Sequence, residues 1–231
     1  MMNFDTNQIR ATDIPDAWFQ SLWLVLEKGF RYIVEQGSFV GQTRCELDWI
    51  EILIYRPYQV DTTGSYNPMI PFMPESMKHI PAPLTLQGLY DYIPYLMSRN
   101  IQSNEEYTYG ERIWPYVEHV VGLLKKTPRT NQAILQVARP SDLLLDDPPC
   151  LRHIDMRVKD GFLIFYPYVR SWDLWAGLPA NLAAIAILQE YMATAIGVEV
   201  GPMLATSKGL HLYGYAETLA EMRTGMASRK S

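Results

Sequence analysis

Residues 154–169 carry the pattern of a β-hairpin. Three apolar residues alternate with three charged ones, Ile154, Met156 and Val158 against Asp155, Arg157 and Lys159. Asp160-Gly161 is a turn dipeptide, and residues 162–169 form a second, mostly apolar run. Residues 179–197, which begin with a proline and end at a glycine, then predict a buried helix. A hairpin followed by a long apolar helix favours an α+β (mixed α/β) fold, with a mixed β-sheet packed with helices.

Local patterns predict the other elements and a single domain over residues 1–231. We expect helices at residues 16–35, ending near Gly37, at 86–97, at 113–126 and from about Tyr215. Strands are expected at residues 47–55, 133–138 and 203–207. Pro94 disfavours the second helix, whereas Pro115 suits the first turn of the third. Residues 57–83 lack a clear period and are rich in Pro, Gly, Ser and Met, which predicts an irregular excursion over the surface or a cleft.

Composition narrows the class of function. Hydrophobic residues make up 48% of the 231 and the formal charge is −5, without a long Lys/Arg run. A general nucleic-acid-binding role is therefore not expected, although a small anionic substrate fits a basic pocket in an acidic protein. Residues 178–196 are interrupted by Asn181, Gln189 and Glu190, which predicts a buried helix and not a membrane span. The N-terminus shows no signal segment, so the cytoplasm is the expected location.

Cys150 is a candidate nucleophile. It follows Pro148-Pro149 at the entrance to the hairpin, where two prolines hold the chain extended and suit an aimed side chain. Taken alone, a single cysteine is more often a small buried hydrophobe. The other cysteine is Cys45, and we do not expect a disulfide between the two, because nothing marks the protein as secreted.

Two further segments are polar at places where apolar elements meet. Residues 169–182 concentrate Arg, Ser, Asp and Asn between an apolar strand and an apolar helix. A polar helix-entry loop explains this composition about as well as a binding site does. His211-Leu212-Tyr213 follows a strand and a glycine, and such a pair is usually a packed, hydrogen-bonded surface.

Together these pieces resemble the thymidylate synthase family. That family has a Pro-Cys nucleophile, an Arg-Ser-x-Asp-x-x-x-Gly-x-Pro-x-Asn run and then His-x-Tyr. The matching residues here are Pro149-Cys150, then Arg170, Ser171, Asp173, Gly177, Pro179 and Asn181, then His211 and Tyr213. The order and the intervening lengths also match. The resemblance is clear over residues 107–222, is closest to the short archaeal-type members, and is loose over residues 1–106.

The resemblance implies a thymidylate synthase-type fold, with one sheet face used to form a homodimer. It also implies a uracil nucleotide as substrate, dUMP above all, and 5,10-methylene-tetrahydrofolate or a tetrahydromethanopterin analogue as co-substrate, with no metal. Neither nucleic acid nor membrane is an expected partner. A thiolate that adds to the uracil ring makes the neighbouring carbon nucleophilic, so that it can gain a one-carbon unit.

Residue roles follow from the same resemblance. Cys150 would be the nucleophile, and Tyr109 would belong to the network that removes the ring proton. The substrate-binding set would be Arg170 and Ser171 at the phosphate, Asn181 at the uracil edge, His211 and Tyr213 at the sugar, and Arg44. Asp173 and Gly177 would contact the pterin.

Some positions depart from the family pattern. The family's Arg-Arg pair, which reaches the partner subunit's phosphate, is replaced by Asn131 and Gln132. Arg129 or Arg139 is a possible substitute. Asp91 is the nearest candidate for the usual catalytic Glu, whereas Glu46 and Glu51 fit a strand better.

The common bacterial enzymes keep water from the late intermediate with a Trp-rich segment and a C-terminal tail, and the resemblance offers no match for either in residues 1–231. Trp172 and Trp175, which flank Asp173, and residues 57–83 are candidates for that shielding.

Three functions are compatible with the sequence. The first is thymidylate synthesis, in which one-carbon transfer is followed by hydride reduction to a methyl group. The second is pyrimidine nucleotide hydroxymethylation, in which water captures the same intermediate. The third is a catalytically degenerate homologue that binds nucleotide or RNA. Retention of Cys150 with the full Asp-Gly-Pro-Asn run speaks against the third.

Overall fold

Two β-sheets and the helices packed on them build the part of the chain that the computed structural model describes, residues 5–37, 39–60, 69–101 and 105–226. The strands in these ranges are β1 (Asn7–Ala11), β2 (Phe30–Ile33), β3 (Thr43–Leu47), β4 (Ile50–Ile54), β5 (Ile134–Gln136), β6 (Leu151–Lys159), β7 (Phe162–Val169), β8 (Trp172–Asp173), β9 (Glu199–Ser207) and β10 (Leu210–Tyr213). The helices are α1 (Ile14–Lys28), α2 (Leu86–Met97), α3 (Tyr109–Lys126), α4 (Gly177–Ile196) and α5 (Gly214–Thr224), with 3-10 turns at Glu75–Met77 and Pro140–Leu144. This mixture confirms the predicted α+β fold class.

The larger sheet has the strand order β1-β4-β9-β7-β6-β5 and mixes parallel with antiparallel pairs. The smaller sheet has the order β2-β3-β10-β8. Two short connections pass from the larger sheet to the smaller one without an intervening helix. β7 continues through Arg170 and Ser171 into β8, and β9 continues through Gly209 into β10. Residues at both crossings therefore meet beside the smaller sheet.

The hairpin of β6 and β7 agrees with the sequence pattern. Its strands pair antiparallel from Leu151 opposite Val169 to Lys159 opposite Phe162. Asp160 and Gly161 both have positive φ, of 53° and 83°, as the mirror-image turn of a two-residue hairpin requires. This register brings the residues before β6 and after β7 side by side.

Helix α1 is shorter than the predicted helix over residues 16–35, which was wrong at its C-terminal end. The helix ends at Lys28, and residues 30–33 form β2. Gly29 has extended backbone, and a Cβ there would lie 2.6 Å from Cys45 Sγ and from the carbonyl oxygen of Val25. Close packing against β3 thus requires glycine at this point. The helix ends there, and the chain continues as strand β2.

Two other predicted boundaries also need correction. The strand over residues 47–55 is divided, because β3 ends at Leu47 and β4 begins at Ile50. Helix α3 begins at Tyr109, since the Thr108 side chain caps it by accepting a hydrogen bond from Glu111 N at 3.0 Å. Pro115 consequently lies inside the helix and not in its first turn. The predicted helix over residues 86–97 is α2, which continues through Pro94.

The predicted excursion over residues 57–83 is partly described. Residues 61–68 fall outside the described ranges, and the described remainder contains one short 3-10 turn. The buried apolar residues of the described chain form one cluster that includes members of both sheets. The single-domain assignment stays a prediction. Among the described helices, none is long and apolar enough to cross a membrane.

Candidate active site

A cleft of about 460 Å³ opens beside the smaller sheet. Seven of the residues singled out in the sequence line it, Arg44, Cys150, Arg170, Ser171, Asp173, His211 and Tyr213. They come from distant parts of the chain, and the two crossings between the sheets bring them together. We call Arg44, Asp173, His211 and Tyr213 the sheet wall, because they lie on β3, β8 and β10. We call residues 146–150 with Arg170 the loop wall.

Cys150 is the half-buried thiol of the loop wall. It stands directly before β6, and its carbonyl oxygen accepts a hydrogen bond from Arg170 N at 2.8 Å. Burial raises the pKa of the Cys150 thiol, whereas the positive charge of Arg170 lowers it, and the Asp147 carboxylate raises it again. The pKa stays above its ordinary value. Near neutral pH the thiol form therefore predominates.

The Arg170 guanidinium is committed to the loop that carries Cys150. Its Nε donates to the carbonyl oxygen of Pro149 at 3.2 Å, and Nη2 donates to Pro148 O at 2.5 Å and to Asp147 Oδ1 at 3.3 Å. Tyr107 holds the same loop from the other side, since its hydroxyl donates to the Asp147 carbonyl oxygen at 3.0 Å. These bonds position Cys150. An anion that uses Arg170 has to compete with Asp147.

Arg44 fixes the sheet wall from within. Its Nη2 donates to the Tyr213 hydroxyl at 2.8 Å, and its Nη1 donates to the Tyr32 hydroxyl at 3.3 Å. Glu46 lies 3.5 Å from the guanidinium and accepts a hydrogen bond from Tyr32 at 3.0 Å. Arg44 Nε is buried and has no hydrogen-bond partner in the described part of the chain. Among the described residues, the positively charged Arg44 guanidinium thus keeps one N–H donor unused.

His211 is neutral and presents an acceptor. Its Nδ1 lies 2.9 Å from the carbonyl oxygen of Gly209, so Nδ1 carries the hydrogen and Nε2 carries the lone pair. Burial, with Arg44 as a further cause, lowers the pKa of His211 to about 3. Nε2 is buried and, among the described residues, lacks a hydrogen-bond partner. The side chain is 2% exposed yet lines the cleft, so a ligand hydroxyl that donates to Nε2 would satisfy it.

Asp173 places a carboxylate at the start of α4. Its oxygens accept hydrogen bonds from the backbone N–H groups of Trp175, Ala176 and Gly177 at 3.2, 3.4 and 3.2 Å. Burial raises the pKa of Asp173, and these three N–H groups oppose that rise. Gly177 thus contributes a backbone donor to Asp173. Its own contact with a ligand stays a prediction.

Asn181 and Tyr109 lie behind the lining residues. Asn181 Oδ1 accepts from Trp172 Nε1 at 2.8 Å, and Nδ2 donates to the Tyr92 hydroxyl at 2.6 Å. The hydroxyl of Tyr109 accepts from the backbone N–H of Leu151, the residue after Cys150, at 3.3 Å. Burial strongly raises the pKa of Tyr109, and a charged Cys150 contributes to the rise. Tyr109 therefore bonds to the residue after Cys150, whereas Asn181 is held by Trp172 and Tyr92.

Asp91, like Asn181, Tyr109 and Gly177, does not line the cleft, and its side chain faces solvent. It lies on the exposed face of α2, where it accepts a hydrogen bond from Gln87 at 2.8 Å. The next residue, Tyr92, turns inward with Leu89 and Leu96 instead. The spacing of Leu89, Tyr92 and Leu96 is helical, and this signal in the sequence could have identified Tyr92 as the inward residue.

Other residues around the cleft were not predicted. Gln36, Gly37 and Phe39 border it, and Tyr215 stacks on Tyr213 with ring centroids 6.2 Å apart. Their positions depend on how the chain returns to the smaller sheet, for which the sequence gives no local signal. Within the described residues, no group of three or more His, Cys, Asp or Glu side chains is arranged to hold a metal ion.

Comparisons with known proteins point to one family. The family model described as thymidylate synthase matches residues 97–228, more than half of the chain. Proteins named "Putative thymidylate synthase" from Methanosarcina acetivorans and Methanosarcina barkeri are 28% and 27% identical over 222 residues, which cover 92% of this chain and 92% of each relative. A protein of the same name from Methanococcoides burtonii is 27% identical over 216 residues.

Proposed function

The chain belongs to the thymidylate synthase family, and we propose that it converts dUMP to dTMP, with Cys150 as the nucleophile. Family membership by itself supports methyl transfer to a uracil nucleotide in general terms. The observation that carries the finer proposal is the cleft that Cys150 shares with Arg170, Asp173 and His211. The cleft thus contains a thiol, a guanidinium, a half-buried carboxylate and, at His211 Nε2, an acceptor for a hydroxyl group.

Cys150 would act by covalent catalysis. Its thiolate adds to C6 of the uracil ring, a sulfur–carbon bond forms, and the electrons of the ring double bond move toward the carbonyl oxygen at C4. C5 thereby becomes nucleophilic and can gain carbon. The thiol has to lose its proton first, and the nearby Arg170 cation favours the charged sulfur. The raised pKa of Cys150 means that thiolate is a minor form until the substrate is in place.

The nucleotide would lie across both walls. Its phosphate would meet Arg170 of the loop wall and the adjoining Ser171, and its sugar hydroxyl would donate to His211 Nε2 at the sheet wall. Asn181 would lie at the uracil edge, where its amide N–H can donate to a ring carbonyl oxygen. Arg44 and Tyr213, which are hydrogen-bonded to each other, would hold the wall on which the sugar rests.

The pterin would be held at Asp173. This carboxylate lines the cleft, and each oxygen of a carboxylate can accept more than one hydrogen bond, so it suits the amino and ring N–H donors of a pterin. The exposed ring of Tyr215 lies beside it and offers a face for stacking. When bound, the reduced pterin supplies the one-carbon unit and, for methylation, the hydride. Asp173 and Tyr215 fit a reduced pterin co-substrate, and this co-substrate could be methylene-tetrahydrofolate or a methanopterin relative.

Hydroxymethylation is the second candidate, and one observation favours it. The sequence suggested Trp172 and Trp175 as shields for the cleft, but these side chains are 1% and 3% exposed within the core. The Trp172 indole faces Asn181, and Trp175 packs edge-on against Trp18 at 5.4 Å. Neither lines the cleft, so in the described chain water is not excluded by tryptophan.

We also propose that the protein forms a homodimer through the larger sheet. Alternate residues of β7 and β9 that point away from the core are half-buried and largely apolar, Ile164, Tyr166 and Tyr168 on β7 and Pro202 and Leu204 on β9. A second copy could cover this face by a twofold contact. Light scattering at micromolar concentration should give twice the mass of one chain. A monomer would contradict this part of the proposal.

The reaction itself is tested by product analysis. The purified protein is incubated with dUMP and methylene-tetrahydrofolate that carries deuterium on the transferable carbon, and the nucleotide is analysed by mass spectrometry. We expect a deuterated methyl group at C5, together with the absorbance change of dihydrofolate formation. A hydroxymethyl product without dihydrofolate would replace the synthase assignment by the second candidate. Unchanged dUMP at saturating concentrations, repeated with a methanopterin co-substrate, would contradict both.

A further inference from the structure

The Asn181 amide is locked in one orientation by its two neighbours. An indole N–H can donate a hydrogen bond but cannot accept one, so the atom that faces Trp172 Nε1 at 2.8 Å has to be the amide oxygen. The amide nitrogen then faces Tyr92, 2.6 Å from its hydroxyl oxygen. Trp172 is 1% exposed, and this donor has no room to move away. The usual ambiguity between the two ends of an asparagine amide is therefore absent here.

This arrangement also determines what Tyr92 can offer. Its oxygen accepts the hydrogen bond from Asn181 Nδ2, so its own hydrogen remains to be donated. Burial raises the pKa of the Tyr92 hydroxyl, which keeps that hydrogen in place. Asn181 Nδ2 has a second hydrogen as well. At this point the protein thus presents two hydrogens, and its acceptor, Asn181 Oδ1, lies on the Trp172 side.

Tyr92 lies close to the nucleophile and not in a remote part of the core. The Tyr109 hydroxyl accepts from the backbone N–H of Leu151, the residue after Cys150, at 3.3 Å, and a charged Cys150 contributes to the raised pKa values of Tyr92, Tyr95 and Tyr109. Tyr92 packs against Tyr95 with ring centroids 5.8 Å apart, and Tyr95 packs against Tyr109 at 4.8 Å. Residues 89 positions apart in sequence meet in the Tyr92–Asn181 bond, so the contact depends on the tertiary fold.

We propose that Tyr92, together with Trp172, determines the preference for a 4-oxo over a 4-amino pyrimidine, by holding the Asn181 amide with its hydrogens toward the base. A carbonyl oxygen at C4, as in uracil, accepts from these hydrogens. An amino group at C4, as in cytosine, carries hydrogens of its own and cannot accept from these hydrogens. Binding cytosine would therefore leave buried N–H and O–H donors without acceptors, which lowers the affinity. The inference rests on the proposed function, since it requires that the cleft binds a pyrimidine nucleotide.

The test measures base preference in Tyr92→Phe, with Tyr95→Phe as the matched control. Both changes remove one hydroxyl from the same face of α2, but only Tyr92 is bonded to Asn181 among the described contacts. Dissociation constants for dUMP and dCMP are measured by calorimetry. We expect the preference of the wild type for dUMP to fall about ten-fold in Tyr92→Phe, the equivalent of one hydrogen bond. In Tyr95→Phe the ratio should stay within about two-fold of the wild type.

A second variant keeps the test decisive if Tyr92→Phe does not fold. Trp172→Phe removes the donor that fixes the amide oxygen, and it should lower the preference for dUMP in the same direction. An unchanged ratio in the folded variants would overturn the inference, as would an equal fall in Tyr92→Phe and Tyr95→Phe. A wild type that binds both bases equally would also overturn it. If the wild type prefers dUMP but yields no methylated or hydroxymethylated product, the proposed reaction fails while the ratios still decide the role of Tyr92.

Discussion

The two walls of the cleft differ in how far their polar groups are already used. In the loop wall, Arg170 is bonded to Asp147, Pro148 and Pro149. In the sheet wall, two buried nitrogens, Arg44 Nε and His211 Nε2, lack partners among the described residues. An unsatisfied buried donor or acceptor is costly in the free protein and is satisfied when a ligand binds. The sheet wall is thus prepared for a ligand, whereas the loop wall holds the nucleophile and has to release a contact to bind an anion.

The largest effect should come from removing the nucleophile of the loop wall. Cys150→Ala should lower turnover of dUMP by at least roughly a thousand-fold, because no other thiol reaches the cleft in the described structure. Cys45→Ala is the matched control. Cys45 is fully buried, its Sγ lies 3.5 Å from Val25 O, and burial raises its pKa to about 11. Equal losses in the two variants would show that folding, and not chemistry, was affected.

The second prediction concerns His211 of the sheet wall and how the free energy of unfolding depends on pH. A histidine whose pKa is lowered to about 3 in the folded protein binds a proton more readily when the chain unfolds, at an ordinary pKa near 6.5. Stability should therefore fall as the pH drops below about 6.5. From pH 7 to pH 5 this one group should cost about 2 kcal/mol.

Urea unfolding of the wild type and of His211→Gln at the two pH values measures that contribution. The variant does not titrate at this position, so it should lose about 2 kcal/mol less than the wild type. His119→Gln, at an exposed position of α3, is the control. Parallel pH dependence in the wild type and His211→Gln would mean that His211 is not held neutral.

A third prediction concerns His211 Nε2, the acceptor of the sheet wall that lacks a partner among the described residues, and its recognition of the sugar hydroxyl. The wild type should bind dUMP about ten-fold more tightly than the analogue that lacks the 3′-hydroxyl, a difference of one hydrogen bond. In His211→Phe the two nucleotides should bind alike, because Nε2 is gone. Calorimetry on both ligands checks this. A preference that survives the change would move sugar recognition to another residue.

The smallest expected effect is at the salt bridge of the loop wall. Asp147→Asn should free Arg170 for an incoming phosphate and strengthen dUMP binding by about three-fold at low salt, less at high salt. Deoxyuridine, which has no phosphate, should bind unchanged. Asp146→Asn is the control, since Asp146 borders the cleft but the carboxylate that bonds to Arg170 is that of Asp147. Weaker dUMP binding in Asp147→Asn would show that the carboxylate supports the site and does not compete with the substrate.

The sequence predicted the C-terminal part of this arrangement better than the N-terminal part. The alternation of residues 154–169 and the Asp160-Gly161 turn are local signals, and they determine the hairpin that brings Cys150 next to Arg170. The end of α1 depends instead on Gly29 packing against Cys45, a contact that no local pattern reveals. β1 and β2 were missed because each is a strand of only four or five residues, too short for its pattern to stand out in the sequence.

The candidate site could likewise be predicted only in part. Motif residues could be named from the sequence because their order matches the family, but the partners that orient them could not. Asp91 was predicted as a site residue because it has a carboxylate. Neighbouring side chains on a helix point about 100° apart, so Tyr92 faces inward while Asp91 faces solvent. Tyr32 and Glu46, which hold Arg44, likewise come from strand pairing between β2 and β3.

The claim that Cys150 forms a covalent bond to the base is tested most directly with 5-fluoro-dUMP and methylene-tetrahydrofolate. Fluorine at C5 cannot leave as a proton does, so the bond between Cys150 Sγ and C6 should persist after the one-carbon unit is added. Peptide mapping by mass spectrometry should then find nucleotide and pterin together on the peptide that contains Cys150, in the wild type and in Cys45→Ala. An adduct on Cys45, or none on Cys150 when the nucleotide saturates the cleft, would contradict the account.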